Sequence, residues 1–237
     1  MLVVMLSACA VLGGCLEFEQ TVELQADGSG TQQIRMVVRN ATLDELERAA
    51  PAARLGERGD PKAIFDEQRV AQELATAGLE LKAHKVTKSP DRKTVELTAS
   101  FASVAVLQKS PLAGSAAEWQ LAAGPRPGTA RLTLFPQGQK AWQEARDRAN
   151  AMQTEDDPLV AEFFRKRKAQ LAGLDVVMRF RLPGDVLVWT ANMEKTGDRE
   201  VTARITAAQL ETPQDLVRRL APRFEVIFDA SGCSLLR

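Results

Sequence analysis

Two runs of alternating apolar and polar side chains, with an Asp-Gly pair between them, restrict the fold of this chain more than any other feature. The apolar members of the two runs are Phe18, Val22, Leu24, Ile34, Met36 and Val38. Successive side chains of a strand point to opposite faces, so each run predicts a strand with one buried face. Asp27-Gly28 predicts a hairpin turn, because glycine accepts the positive φ that a tight turn requires. A cation or phosphate loop through Asp27 and Ser29 is the alternative, although the sequence places no second set of ligands nearby.

Similar alternation predicts further strands, and helical periodicity predicts helices between them. The predicted strands are 79–86, 93–101, 118–122, 129–135, 175–182, 185–192, 200–206 and 224–228. The predicted helices are 42–51, 62–77, 213–221 and a region of about 139–172 that breaks before Pro158. We expect irregular structure at 102–117 and a turn at 194–198. This order predicts an α+β fold, a curved antiparallel sheet of hairpins and meanders packed against inserted helices, with its other face toward solvent or a cavity.

The composition argues for a folded protein that does not bind nucleic acid. The 237 residues include 31 Lys and Arg against 31 Asp and Glu, no Tyr, and 5% aromatic residues. A nucleic-acid binder needs surplus positive charge for phosphates or aromatic side chains for base stacking. We expect residues 15–237 to form a single domain. We also expect Trp119, Trp142 and Trp189 to pack in its core.

Residues 1–12 carry no charge and consist mainly of Leu, Val, Met and Ala. The segment before Cys15 spans about 21 Å as a helix, which is short for a bilayer core of about 30 Å. Its length is typical of the apolar part of a signal peptide. A buried N-terminal helix is the alternative, and the adjacent Gly13 and Gly14 disfavour it.

Leu12-Gly13-Gly14-Cys15 resembles the lipobox of bacterial lipoprotein precursors. The resemblance implies that residues 1–14 are a signal peptide cut before Cys15, whose thiol carries a diacylglyceryl group and whose new amine is acylated, as with palmitate. It implies a lipid-anchored protein of the cell envelope on the periplasmic side, and Leu16 after the cysteine points to the outer membrane. Leaders of this family begin with a basic residue, whereas the first one here is Arg35, so we expect the true start upstream of Met1.

No group of residues in the sequence predicts catalysis or a metal site. His84 is the only histidine and lies in an alternating run, where we expect it on the solvent face. No serine has the context of a nucleophile elbow, and no cysteines have the spacing of a zinc site. If Cys15 is acylated, Cys233 is a lone thiol. The acid run Glu155–Asp157 predicts a helix cap, with cation binding as the alternative. We therefore expect no enzyme, cofactor or metal.

The most suggestive local stretch combines two aromatic residues with four cations. Its members are Phe163, Phe164, Arg165, Lys166, Arg167 and Lys168. As a basic amphipathic helix, these residues are candidate contacts with an anionic lipid surface. The favoured interpretation is a solvated helix whose phenylalanines fill the core and whose cations lie near its C-terminal end.

Several turns at the two ends of the predicted domain resemble those of LppM-like bacterial lipoproteins. The matching positions are Asp27–Gly30, Phe180, Pro183, Gly184, Val186, Asn192 and Gly197. The resemblance implies an α+β fold of curved antiparallel sheet against helices, with lipid or glycolipid binding. It supplies no catalytic residues.

These observations predict a non-enzymatic, membrane-anchored protein. We expect it to bind a lipid, a glycolipid or another envelope component in a cavity between the sheet and the long helices. The alternative is a structural or assembly role through contacts with an envelope protein. An apolar cavity would favour the first interpretation, and a flat exposed apolar patch the second.

Overall fold

The computed structural model describes residues 16–49, 62–113, 116–151 and 158–235. These ranges contain eleven strands, six α-helices and three short 3-10 helices. Cys15, the predicted signal peptide and the acid run at 155–157 lie outside the described residues.

The strands are distributed along the whole described chain. They are β1 Leu16–Leu24, β2 Gly30–Arg39, β3 Glu80–Lys88, β4 Arg92–Phe101, β5 Glu118–Ala123, β6 Thr129–Phe135, β7 Asp175–Arg181, β8 Val186–Trp189, β9 Glu194–Gly197, β10 Glu200–Thr206 and β11 Phe224–Asp229. The helices are α1 Asn40–Ala49, α2 Glu67–Thr76, α3 Val104–Leu107, α4 Gln139–Ala151, α5 Pro158–Gln170 and α6 Pro213–Leu220. The 3-10 turns are Ala63–Phe65, Pro111–Ala113 and Ala207–Gln209. The predicted α+β class is confirmed.

The strands form two sheets, and β1 lies at the centre of the larger one. The seven-stranded sheet has the order β3-β4-β2-β1-β7-β10-β9, and the four-stranded sheet has the order β5-β6-β11-β8. On one side β1 pairs antiparallel with β2, where Phe18 lies opposite Met36. On the other side it pairs parallel with β7, where Phe18 lies beside Val176. The sheet is thus antiparallel as predicted except at this pair, because a long insertion returns the chain to β1 in the same direction.

The predicted hairpin between β1 and β2 is confirmed, with a five-residue connection at 25–29. Gly28 has φ of +89°, in the region that favours glycine. The Asp27 carboxylate accepts hydrogen bonds from the backbone N–H of Ser29 at 3.0 Å and from its hydroxyl at 2.6 Å. These bonds lower the pKa of Asp27 because they favour its ionised form. The carboxylate therefore stabilises the turn.

The inner faces of the two sheets share one hydrophobic core, and Phe180 of β7 joins them. Its ring lies 6.0 Å from the ring of Trp119 on β5, edge to face. It also lies 6.2 Å from the ring of Phe224 on β11. All three side chains are buried. Such aromatic pairs add packing energy to the burial of large apolar surface.

The outer face of the seven-stranded sheet is polar, as the alternation predicts. The guanidinium group of Arg35 lies 3.7 Å from the carboxylates of Glu17 and Glu19 and 3.8 Å from that of Glu96. These side chains are about 40–50% exposed, so solvent screens the attraction and each pair contributes little stability.

Several element boundaries in the structure differ from the predicted ones, for reasons that can be traced to particular contacts. Helix α1 begins at Asn40, whose backbone N–H donates to Asp91. Helix α2 begins at Glu67, because the Asp66 side chain accepts a hydrogen bond from the backbone of Arg69 and caps the helix. The predicted turn at 194–198 is largely strand β9, which pairs with β10. No helix in the described ranges is both long and apolar enough to cross a bilayer.

We predict that Phe180→Ala lowers the free energy of unfolding by about 3–5 kcal/mol, because it empties the contact between the sheets. Chemical denaturation monitored by circular dichroism would measure the loss. Val188→Ala is the matched control, since Val188 is 56% exposed and its truncation should change stability by less than about 0.5 kcal/mol. If the two variants were equally stable, Phe180 would not be the residue that holds the two sheets together.

Candidate functional site

An apolar cavity of about 440 Å³ lies between α4, α5 and α6 on one side and the inner face of β7 and β10 on the other. Its apolar lining includes Ala141, Ala145, Phe163, Leu174, Val176, Met178, Ile205, Leu210, Leu216, Val217, Leu220 and Phe224. Such a volume lies within the range of roughly 300–1,000 Å³ that is common for small-molecule sites. The expected cavity between sheet and helices is therefore present.

The cavity exists because α4 presents small side chains to the sheet and because alternate residues of β7 face the helices. Val176 and Met178 are successive inward residues of β7, two positions apart on one face of the strand. On α4, Ala141 and Ala145 lie one helical turn apart and occupy little volume. Small helix side chains opposite a sheet leave space that larger residues would fill.

Helix α6 forms one wall of the cavity and is held at its first turn by a capping box. The Thr212 hydroxyl oxygen accepts a hydrogen bond from the backbone N–H of Asp215 at 3.1 Å. The Asp215 carboxylate accepts one from the backbone N–H of Thr212, also at 3.1 Å. One turn further, Leu216 is buried against the core. The guanidinium of Arg218 donates to the Asn150 side chain at 3.2 Å and ties α6 to α4.

Charged side chains among the lining residues give the cavity a positive balance. Among the described lining residues, three arginines, Arg148, Arg167 and Arg219, stand against a single carboxylate, Glu144. Arg167 donates to Gln170 at 3.2 Å, and its guanidinium lies 5.5 Å from the centre of the Phe163 ring. Apolar walls combined with cations suit a molecule that has an apolar body and a negative or strongly polar group.

The predicted basic stretch at 163–168 lies entirely on α5, and its two phenylalanines have different environments. Phe163 is 57% exposed and lines the cavity. Phe164 is partly buried, packs against the core and lies 5.7 Å below the ammonium group of Lys168. The prediction that the phenylalanines fill the core is therefore confirmed for Phe164 and wrong for Phe163. The physical reason is that α5 has no buried residue and covers the cavity without filling it.

The four cations of the stretch are arranged around the helix. Arg165, Lys166 and Lys168 are exposed, while Arg167 is half-buried at the cavity. Lys166 pairs with Glu162 at 2.7 Å, one turn earlier on the helix. Glu162 is the only acidic residue of α5, so the helix carries a clear positive surplus.

Other candidate residues from the sequence lie away from the cavity. His84 was expected on the solvent face, but it is half-buried and its Nε2 lies 2.8 Å from the backbone oxygen of Ile64. This contact anchors the segment before α2 to β3. Burial raises the pKa of the Cys233 thiol near the C-terminus. Within the described residues, no three His, Cys, Asp or Glu side chains cluster closely enough to hold a metal ion.

The expected burial of the tryptophans is confirmed for one of the three. Trp119 is buried between the sheets. Trp189 is 38% exposed, and it ends β8, a strand in which only Val186 is buried. Trp142 is half-buried on the outer side of α4, where its ring lies 5.5 Å from that of Phe135.

Comparisons with known proteins leave the family of this chain open. No family model matches the sequence, and no curated protein does. Among solved structures, the folded domain of the LppM protein of Mycobacterium tuberculosis is similar, with a TM-score of 0.46 and 10% sequence identity over 92% of this chain and 91% of that one. At that identity and TM-score the likeness assigns no function.

We predict that Thr212→Ala lowers the free energy of unfolding by about 1 kcal/mol, because the first turn of α6 loses its side-chain cap. Urea denaturation would measure the change. Thr212→Ser keeps the hydroxyl and should retain most of the stability. A serine variant as unstable as the alanine variant would show that the capping hydrogen bond is not what holds this wall of the cavity.

Proposed function

We propose that this protein is a lipid-anchored component of the cell envelope that binds a lipid, a glycolipid or another amphiphilic envelope molecule without transforming it. The observation that carries the proposal is the apolar cavity beneath α4, α5 and α6. Its walls would bury the apolar part of a ligand, and burial of apolar surface is worth about 25 cal/mol per Å². Its arginines would interact with the polar part.

The position of the cavity relative to the predicted anchor supports the same function. The cavity residues Leu174 and Val176 flank Asp175, which pairs with Glu17 at the start of β1. Two residues of extended chain span at most about 7 Å, so an acyl group on Cys15 would be attached close to this end of the sheet. A ligand could then pass between the membrane and the cavity over a short path.

Helix α5 supplies a surface that suits a membrane. Leu159 and Phe163 lie one turn apart and are 77% and 57% exposed. Near them the helix carries the four cations at 165–168. Exposed apolar side chains beside cations favour binding to the interface of an anionic bilayer, and a lipid anchor would add to that affinity. We therefore assign α5 as the membrane-facing cover of the cavity.

The chemistry of the cavity lining supports binding without catalysis. Its described residues include no His, Cys, Ser, Thr or Asp. The charged groups are Glu144 and three arginines. Arginine stays protonated at physiological pH, so it can bind an anion but rarely transfers a proton.

A second candidate function, assembly with an envelope protein, has its own supporting observation. Strand β8 is one of the two outer strands of the four-stranded sheet. Its residues Leu187, Val188 and Trp189 are 48%, 56% and 38% exposed. An exposed apolar strand at a sheet edge is suited to contact with another protein chain.

We predict that Ala141→Phe weakens binding of the apolar fluorophore N-phenyl-1-naphthylamine about tenfold, or about 1.4 kcal/mol, because the larger side chain occupies space that the ligand would fill. Fluorescence titration of the purified protein would measure the dissociation constant. Gln143→Phe is the matched control: it adds the same ring to the same helix at an exposed position outside the cavity lining.

Unchanged binding by both variants would contradict a ligand site in the cavity. Extraction of the natively purified protein, followed by mass spectrometry, identifies the bound molecule. Recovery of no lipid, together with loss of a co-purifying protein on Leu187→Ser, would favour the assembly function.

We predict that Cys15→Ala abolishes lipidation and leaves the leader attached, because the thiol is the group that accepts the diacylglyceryl chain. Mass spectrometry of the N-terminal peptide would detect the missing lipid mass and the residues before position 15. Cys233→Ala should retain both the lipid and the cleavage. An N-terminal peptide that Cys15→Ala does not change would contradict the anchor.

A further inference from the structure

A second recess lies on the opposite side of α4 from the cavity, on the outer face of the four-stranded sheet. It measures about 230 Å³ and lies between β6, β11 and α4. Its polar and aromatic lining includes Gln120, Arg131, Gln139, Trp142, Arg223 and Glu225. We call it the arginine groove. Its volume is small for an acyl chain, and six of its nine lining residues have polar or charged side chains, so it differs in kind from the apolar cavity.

The charges of the arginine groove do not balance. Arg223 forms an ion pair with Glu225, and the same Glu225 oxygen accepts a hydrogen bond from the Thr133 hydroxyl at 3.3 Å. Glu225 is the only carboxylate in the lining, and Arg131 has no carboxylate partner within the described chain. One positive charge in the groove is therefore uncompensated.

Hydrogen-bond donors in the groove are unused as well. The Nε atoms of Arg131 and Arg223 are both buried and have no hydrogen-bond partner among the described residues. A buried donor without an acceptor is unfavourable, and the penalty is larger when the group is charged. The negative charge of an anion in the groove would offset part of that penalty without direct contact with the buried Nε atoms.

The aromatic side of the groove holds the arginine side chains in place. The guanidinium of Arg223 lies 5.3 Å from the centre of the Trp142 ring, and that of Arg146 lies 5.1 Å from it. Arg146 is also paired with Asp147 at 3.0 Å. A cation–π contact with the indole restricts the position of a guanidinium group and prepares it for an anion.

We infer that the arginine groove binds a phosphate group. Guanidinium groups bind phosphate with two parallel hydrogen bonds, and a phosphodiester carries the single negative charge that would neutralise the groove. The phosphate could belong to a lipid head group or be free in solution. This inference does not depend on the apolar cavity or on the lipid anchor.

The fluorescence of Trp142 provides a direct test. In a Trp189→Phe background, Trp142 is the tryptophan at the groove, while Trp119 remains buried in the core. The full-length protein is titrated with dimethyl phosphate, as a head-group phosphodiester, and with inorganic phosphate, against sodium chloride of equal ionic strength. We expect a saturable fluorescence change with at least one phosphate compound that chloride does not reproduce.

Arg131→Gln should weaken this binding about tenfold, because one charge-assisted interaction with the phosphate is lost. Arg131→Lys keeps the positive charge but lacks the planar pair of N–H donors of a guanidinium group. It should therefore bind the phosphate compound with intermediate affinity. Arg126→Gln is the matched control, since Arg126 lies in the exposed turn before β6 and does not line the groove. Equal midpoint temperatures of thermal unfolding would confirm that all variants are folded.

The two phosphate compounds distinguish the two sources from which a phosphate in the groove could come. Tighter binding of dimethyl phosphate assigns the groove to a lipid head group, and tighter binding of inorganic phosphate assigns it to a free phosphate. The absence of a saturable response to either compound, or a response that Arg131→Gln leaves unchanged, overturns the inference.

Discussion

The pairing of β1 with neighbours on both sides is the interaction on which the rest of this structure depends. Its inward side chains continue across the sheet in rows, so that Phe18 lies between Met36 of β2 and Val176 of β7. Because β7 runs parallel to β1, the chain that follows β4 must leave this sheet and cross over before it returns as β7. That insertion supplies β5, β6, α4 and α5, which form much of the second sheet and of the cavity. The central strand thus determines where the helices can lie.

Two faces of helix α4 lie in different environments. Ala141 and Ala145 face the apolar cavity, whereas Trp142 faces the arginine groove. Adjacent helix positions differ by about 100° in direction, so one helix can line the apolar cavity with one face and the arginine groove with another. The fold therefore places an apolar cavity and a smaller polar recess on different faces of one helix.

Features that depend on neighbouring residues were predictable from the sequence, and features that depend on distant pairing were not. The hairpin of β1 and β2 follows from local alternation and from Gly28. The parallel pairing of Glu17 with Asp175 has no local signal, because the partners are far apart in the chain. Strand β9 was missed because its polar, glycine-containing sequence is typical of a turn. In the site, the cavity and α5 were expected, whereas Arg131 and Arg223 come to line one recess only through the pairing of β6 with β11.

The central position of β1 also determines how the domain would respond to mechanical force. A load applied at the N-terminus acts along the axis of a strand that is hydrogen-bonded on both sides over most of its length. Such a shear load is shared by many backbone hydrogen bonds at once, whereas a load on an edge strand can separate them one after another. Tension applied at the N-terminus would therefore be resisted by the pairing of β1 with both of its neighbours together.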